Sequence, residues 1–361
     1  MRIKFSTLLL VIFSMYFGNA GAQLKQFSLE DLNFGGNNYY NMSPKNRYTA
    51  WWGETLVHND YDKCSAVNPK NAGEKQLFTL DDINNVIEKE GLGKDGKIRS
   101  LYSAQFPYAD KNIVMLTNGH MRVLVDWKKK EVAASYVSGQ GMQAEEWNAV
   151  SRTLAYVKDD NLFVVGKDGK TVQLTTDGSR DIVYGQSVHR NEFGINKGLF
   201  WSNDGQSLAF YRMDQSMVTD YPLVGIDTRI ATLEPEKYPM AGETSHEVTV
   251  GVYSLKTGKT VYLNVGDPKD RYFTNISWTP DGRQIYLIEV NRDQTDASLD
   301  AYDAQTGNKV KTLYHEHHDK YVHPVNPVAF LPWDSSKFIL QSERDGYNHL
   351  YLLSTQGGEP K

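Results

Sequence analysis

The chain has 361 residues, enough to bury a substantial core, and its formal net charge of -5 gives it no basic footprint for nucleic acid. Aromatics make up 12% of the residues and glycines number 29, a composition suited to pleated strands broken by many tight turns. The one cysteine, Cys64, excludes an internal disulfide framework, and nothing around it in sequence argues for an activated thiolate.

Arg2 and Lys4, the apolar run from Leu8 to Phe17 and the small residues Ala20-Gly21-Ala22 have the layout of a secretory signal peptide. Cleavage is expected after Ala22, so that 23–361 is the mature, exported chain. The apolar run is short for crossing about 30 Å of hydrocarbon. Export leaves periplasm, outer membrane and medium equally open.

From residue 40 onward one pattern recurs: an aromatic, a polar turn, an apolar strand, a second turn and another strand. Asn41-Met42-Ser43-Pro44 leads to Tyr48-Thr49-Ala50-Trp51, and Tyr108-Ala109-Asp110 leads to Ile113-Val114-Met115-Leu116. Trp147-Asn148-Ala149 leads to Leu154-Ala155-Tyr156-Val157. The clearest copies are Trp201-Ser202-Asn203-Asp204-Gly205 before Leu208-Ala209-Phe210-Tyr211, and Trp278-Thr279-Pro280-Asp281-Gly282 before Ile285-Tyr286-Leu287-Ile288. The Asp-Gly pair supplies the positive φ of a hairpin turn. Trp333-Asp334-Ser335 before Phe338-Ile339-Leu340 is a weaker copy. The spacing, roughly 40 to 75 residues, is that of four-stranded blades with insertions, and it predicts an all-β propeller with about six blades present. No WD dipeptide marks the blade ends.

Two stretches break the rhythm. Leu80 to Glu90 reads as a short helix opened by Thr79, with Asp81 and Asp82 in its first turn. Residues 182–200 read as a polar excursion within a blade, the kind of loop where function sits on a rigid scaffold. The chain reaches Lys361 straight after Leu350-Tyr351-Leu352-Leu353 and Gly357-Gly358, so the ring is expected to be incomplete, its edge faces prone to association.

Three strings have the outward form of chemical motifs. Gly91-Leu92-Gly93-Lys94-Asp95-Gly96 fits G-x-G-x-x-G, but a polar helix precedes it and a strand follows, the reverse of a dinucleotide site. His315-Glu316-His317-His318, with His323 nearby, lacks a helical frame for a metal and reads as a solvated inter-strand loop; no metal or other cofactor is expected. There is no G-x-S-x-G, and Gly185-Gln186-Ser187-Val188-His189 lacks the second glycine, so no catalytic serine is assigned. That leaves Tyr184 to Ile195, where a displayed Glu192 could pair with a cationic ligand group or simply be solvated surface.

Asp181-Ile182-Val183-Tyr184 through Glu192-Phe193-Gly194, closed by Phe200-Trp201-Ser202, resembles the propeller of the dipeptidyl peptidase IV family. Tyr238-Pro239-Met240-Ala241-Gly242 and Arg344-Asp345-Gly346-Tyr347-Asn348-His349-Leu350-Tyr351 are similar to further family segments, in order. The Tyr238 to Gly242 and Val188 to Gly194 segments most resemble the bacterial prolyl tripeptidyl peptidase branch. The resemblance implies an eight-bladed propeller followed by an α/β-hydrolase domain that carries a Ser-Asp-His triad. It also implies propeller glutamates that grip the free α-amine of a peptide. The dipeptidyl members carry adjacent glutamates; here the positions read Asn191-Glu192, so Glu192 carries over, Asn191 stands where its companion would be, and tripeptide release is as open as dipeptide release. His323 falls where the family lines its pocket, and no arginine here matches the one that holds a substrate carbonyl in some members.

The expectation is thus the substrate-gating half of a secreted post-proline serine exopeptidase, inactive as this chain alone. Its partners would be peptides with a free N-terminus and a nearby proline, a C-terminal hydrolase domain, and a second copy of itself in a homodimer. The competing readings are a stand-alone exported propeller that binds proteins, and a purely structural fragment.

Overall fold

The computed structural model describes residues 26–34, 36–42 and 46–361, so the expected signal peptide lies outside the described residues. Among the described residues, those up to Tyr48 form one compact unit and Thr49–Lys361 form another. In the first, Ser28 caps the helix Leu29–Leu32: its hydroxyl accepts the Asp31 N–H at 3.1 Å while the Asp31 carboxylate accepts the Ser28 N–H at 2.9 Å. Asn41 and Met42, expected to open a blade turn, instead end the helix Asn37–Met42.

The second unit is a β-propeller of six antiparallel sheets in chain order. Blades I (48–79), III (143–173) and V (271–317) have four strands each, and blades II (113–137) and VI (329–354) have three. In blade II the innermost strand is reduced to a single bridge, Gln105 to Met115. Blade IV (182–262) has five strands because its innermost one is split in two.

The turns expected from sequence form as expected in blades IV and V. The Ser202 hydroxyl donates to Asp204 at 2.6 Å and the Thr279 hydroxyl donates to Asp281 at 2.7 Å. Gly205 and Gly282 follow with φ of 65° and 68°. The tryptophan before each turn has a second task. Trp201 Nε1 donates to the carbonyl of Glu146 at 2.9 Å, and Trp278 Nε1 donates to the carbonyl of Phe200 at 2.9 Å. Each indole thus latches its blade to the residue preceding the tryptophan of the blade before. Trp333 does not continue the series. It sits in the turn between Ala329–Leu331 and Asp334–Ser342, 82% exposed, and Leu331 ends the inner strand in its place.

Blade faces pack in layers, so the middle strands are buried on both sides and read as unbroken apolar runs. Ile285 and Leu287 pack with Val250 and Val252 of blade IV, while Tyr286, Ile288 and Val290 pack with Phe338, Leu340 and Leu353 of blade VI. The expected helix forms as Leu80–Lys89 with Thr79 as its cap, and it buries Ile83, Val86 and Ile87 against blades I and II. Leu92–Asp95 is a 3-10 turn, and no β-ladder forms between it and the bridge at Gln105, so no strand follows the glycine string. The histidine run is no loop: His315 and His317 end the outer strand Lys309–His317 and both reach Asp296, at 3.4 and 3.0 Å. Alternate residues of an edge strand face water, which polar side chains satisfy without breaking the ladder. Cys64 is buried, and burial pushes its thiol up to about 12. No helix among the described residues is long and apolar enough to cross a membrane.

Candidate functional site

The excursion in blade IV is an insertion at one residue of a ladder. Ile182–Tyr184 pairs with residues 212–214 and Leu199–Trp201 pairs with residues 208–210, so Tyr211 faces the gap. Both ends of the loop tie to it: Gly185 N–H donates to Tyr211 O at 2.9 Å, and Tyr211 N–H donates to Gly198 O at 3.0 Å. The neck is too narrow for a side chain. A Cβ on Gly198 would stand 2.1 Å from the carbonyl oxygen of Gln186.

Inside the loop the backbone turns left repeatedly. His189, Arg190, Asn191 and Phe193 all have φ between 53° and 65°, a conformation that costs a residue other than glycine about 1–3 kcal/mol. Only strong fixation sustains such a run. Phe193 is buried, its ring 5.2 Å from Tyr272 and 6.2 Å from His323. Gly194 lies so close to the segment joining blades V and VI that a Cβ would stand 2.1 Å from Val325 O. The Asn275 amide donates to Pro324 O at 2.8 Å and fastens that segment in turn. Arg190 pairs with Glu236 at 3.1 Å and lies 4.8 Å over the Tyr238 ring.

Asn191 and Glu192 point the other way and are exposed. No hydrogen bond or ion pair among the described residues engages the Glu192 carboxylate. The alternation His189 in, Asn191 and Glu192 out, Phe193 in makes the loop a fixed platform that presents a carboxylate. His323 is exposed too, and its ring meets that of Phe193, the neighbour of Glu192. The three residues expected to bind substrate are therefore carried by two segments that pack together.

Beside them opens a cavity of about 860 Å³, bordered by Trp147, Trp201, Trp278, Asn275 and the Gly194–Lys197 limb of the loop. Lys197 and Glu146 form an ion pair at its wall, 2.8 Å apart. No group of three or more His, Cys, Asp or Glu among the described residues is placed to hold a metal.

Two histidines that sequence reading did not connect underlie the platform. His189 is 3% exposed and His246 is 6% exposed, their rings stacked 5.0 Å apart with His189 Nδ1 3.0 Å from His246 Nε2. Burial, then the neighbouring ring, holds His189 well below its ordinary range. Burial, then Arg190 and Arg292, lowers His246 to about 4. They lie 57 residues apart in sequence, and no periodicity links them.

Residues 110–361 match the family of the dipeptidyl peptidase IV N-terminal region. A Bacteroides ovatus crystal structure described as a dipeptidyl aminopeptidase IV is similar at 48% identity, with a TM-score of 0.75, over 92% of this chain and 46% of that one. The structure of Porphyromonas gingivalis dipeptidyl peptidase 4 shares the fold, with a TM-score of 0.67 at 20% identity, over 93% of this chain and 49% of that one. A Phaeosphaeria nodorum protein described as a dipeptidyl-aminopeptidase B is 29% identical over 61% of this chain and 27% of its own length. The chain thus spans less than half the length of these relatives.

Proposed function

The chain belongs to the dipeptidyl peptidase IV N-terminal-region family, and on that premise we propose that it is the substrate-gating propeller of a secreted serine exopeptidase that releases short N-terminal peptides ending in proline. The supporting observation is the exposed, unpaired Glu192 carboxylate on a loop whose neighbouring side chains are anchored. A peptide α-ammonium brought against it would lose water, and a charge-assisted hydrogen bond to a fixed carboxylate offsets that loss. A carboxylate at a set distance from the scissile bond measures substrate length from the free end, which makes an exopeptidase. With Asn191 beside Glu192, the amide can accept a second ammonium hydrogen through its carbonyl but adds no charge. His323 flanks the substrate's first residues. The catalytic serine belongs to an α/β-hydrolase domain beyond this chain.

The test is Glu192→Gln in the full-length peptidase. Losing one charge-assisted bond, about 1.5–3 kcal/mol, lowers kcat/KM for free N-terminal substrates roughly ten- to hundredfold. Substrates with an acylated N-terminus have no ammonium to lose and keep their slow turnover. Equal slowing of both classes would make Glu192 structural. Xaa-Pro and Xaa-Xaa-Pro chromogenic substrates compared in the same assay decide between dipeptide and tripeptide release.

Export rests on the layout of residues 1–22, and N-terminal sequencing of the mature protein should begin at Gln23. A second copy of the chain is the proposed cover for the arm at 220–237, two short ladders beyond blade IV in which Ile226 and Ile230 are 80% and 81% exposed. Ile230→Asp should then shift the full-length protein from dimer to monomer in sedimentation. A wild-type protein that sediments as a monomer removes this partner.

A further inference from the structure

The buried histidine pair has a proton order fixed by one backbone group. Phe273 N–H points at His189 Nε2 from 3.1 Å. An amide can only donate, so Nε2 must be the bare nitrogen, and the neutral ring carries its proton on Nδ1. That Nδ1–H then donates to His246 Nε2, 3.0 Å away, which must also be bare. The chain Phe273 N–H to His189 to His246 therefore runs in one direction only, and it exists only while both rings are neutral. A proton on His246 Nε2 would face the Nδ1–H of His189, and a proton on His189 Nε2 would face the Phe273 amide.

His189 is also the first residue of the left-handed run that ends in the Glu192 platform, with φ of 53°. Its ring is gripped by Tyr272 edge-on at 5.0 Å, by the stacked His246 ring and by the Phe273 amide. We propose that His246 is a positioning residue for amine recognition: by accepting the His189 proton it holds the strained loop that displays Glu192, and it releases that loop when the pair takes up a proton. The proposal rests on the reading of Glu192 as the ammonium anchor.

The charged and titratable groups around the pair act in one direction. Arg190 from the loop and Arg292 from the turn after the strand Gln284–Asn291 both disfavour a proton on His246. Their own charges are held by Glu236 and by Asp270, at 3.1 and 2.9 Å. Tyr272 meets His189 and Phe193, and His323 meets Phe193 on its far side. A drop in pH that protonates the pair would thus break the bond between the two rings beneath the loop.

Two substitutions separate the bond from the ring. His246→Phe keeps the stacking surface and removes the acceptor; His246→Gln puts an amide oxygen at about the reach of Nε2 and cannot titrate. Hydrogen exchange of the peptide covering 188–195 is read in this chain at pH 7 and pH 4, corrected for the intrinsic pH dependence. His246→Phe should raise exchange in that peptide at least tenfold at pH 7 with the other blades unchanged. The wild type should open the same peptide at pH 4, and His246→Gln should not. In the full-length peptidase, His246→Phe should raise KM for free N-terminal substrates about tenfold and leave kcat within twofold. Wild-type exchange in His246→Phe, or identical acid opening in wild type and His246→Gln, overturns the proposal; if the Phe variant fails to fold, the Gln comparison decides alone. Glu192→Gln is run alongside. If it leaves discrimination for the free amine intact, the anchor reading falls, while the exchange data still decide whether His246 holds the loop.

Discussion

Blades IV and V follow the same local rules and part at one height. Both open on a tryptophan latched to the preceding blade, and both turn through a hydroxyl–Asp–Gly staple. Aligned on those tryptophans, blade IV breaks its inner ladder opposite Tyr211, and blade V breaks its own opposite Leu287, one residue away. Blade V answers with a bulge, Asn275 at φ of 55°, whose amide fastens Pro324. Blade IV answers with the whole loop 185–198. The bulge steadies the segment that the loop leans on, so a weak point of the repeat became a platform in blade IV and a support in blade V. Repetition supplies rigidity, and the irregular position is where the chain can present a side chain such as Glu192.

The largest expected effect breaks that platform at its neck. Gly198→Val drives a Cβ into the Gln186 carbonyl and should cost about 3 kcal/mol in chemical denaturation. At the left-handed Gly346 an added Cβ would meet no other described atom within 4 Å, so Gly346→Ala should cost only about 1 kcal/mol.

The histidine pair gives an effect of similar size, but only in acid. Both folded values lie below 6.5, so as pH falls through that value the unfolded chain gains protons that the folded chain refuses. This contribution is fully present above pH 6.5 and is lost as pH falls toward about 4. For His246 the loss is on the order of 3 kcal/mol. Denaturation midpoints of wild type and His246→Gln should agree at pH 7 and diverge in favour of the variant by pH 4.5. Parallel pH curves would contradict the assignment.

Trp278→Phe leaves the Phe200 carbonyl without its indole and should cost about 1–2 kcal/mol, with Trp201→Phe matching it if the latches are equivalent. The smallest effect concerns Tyr211, whose buried hydroxyl has no hydrogen-bond partner among the described residues. Tyr211→Phe should be neutral or stabilising by less than about 1 kcal/mol in thermal melts. A loss above that would show that the hydroxyl is engaged after all.

What could be read from the chain itself was everything decided by neighbours in sequence. Asp-Gly turns require positive φ, apolar runs between them require burial on two faces, and Thr79 with Asp82 caps a helix; each is a local rule, and together they specified blades. Local rules also misled where position matters more than type. Trp333 looks like Trp201 and Trp278, yet it falls two residues late and lands in a turn. The histidines at 315 and 317 look like a loop and form a strand edge. The resemblance picked out Glu192, Asn191 and His323, but only the folded chain shows Phe193 packed between the two segments that carry them. The His189–His246 pair, the Arg190–Glu236 bridge and the Gly198 neck lay outside sequence reading altogether. Each joins residues that are far apart in the chain or constrained by another backbone, and such contacts arise only when the blades close on one another.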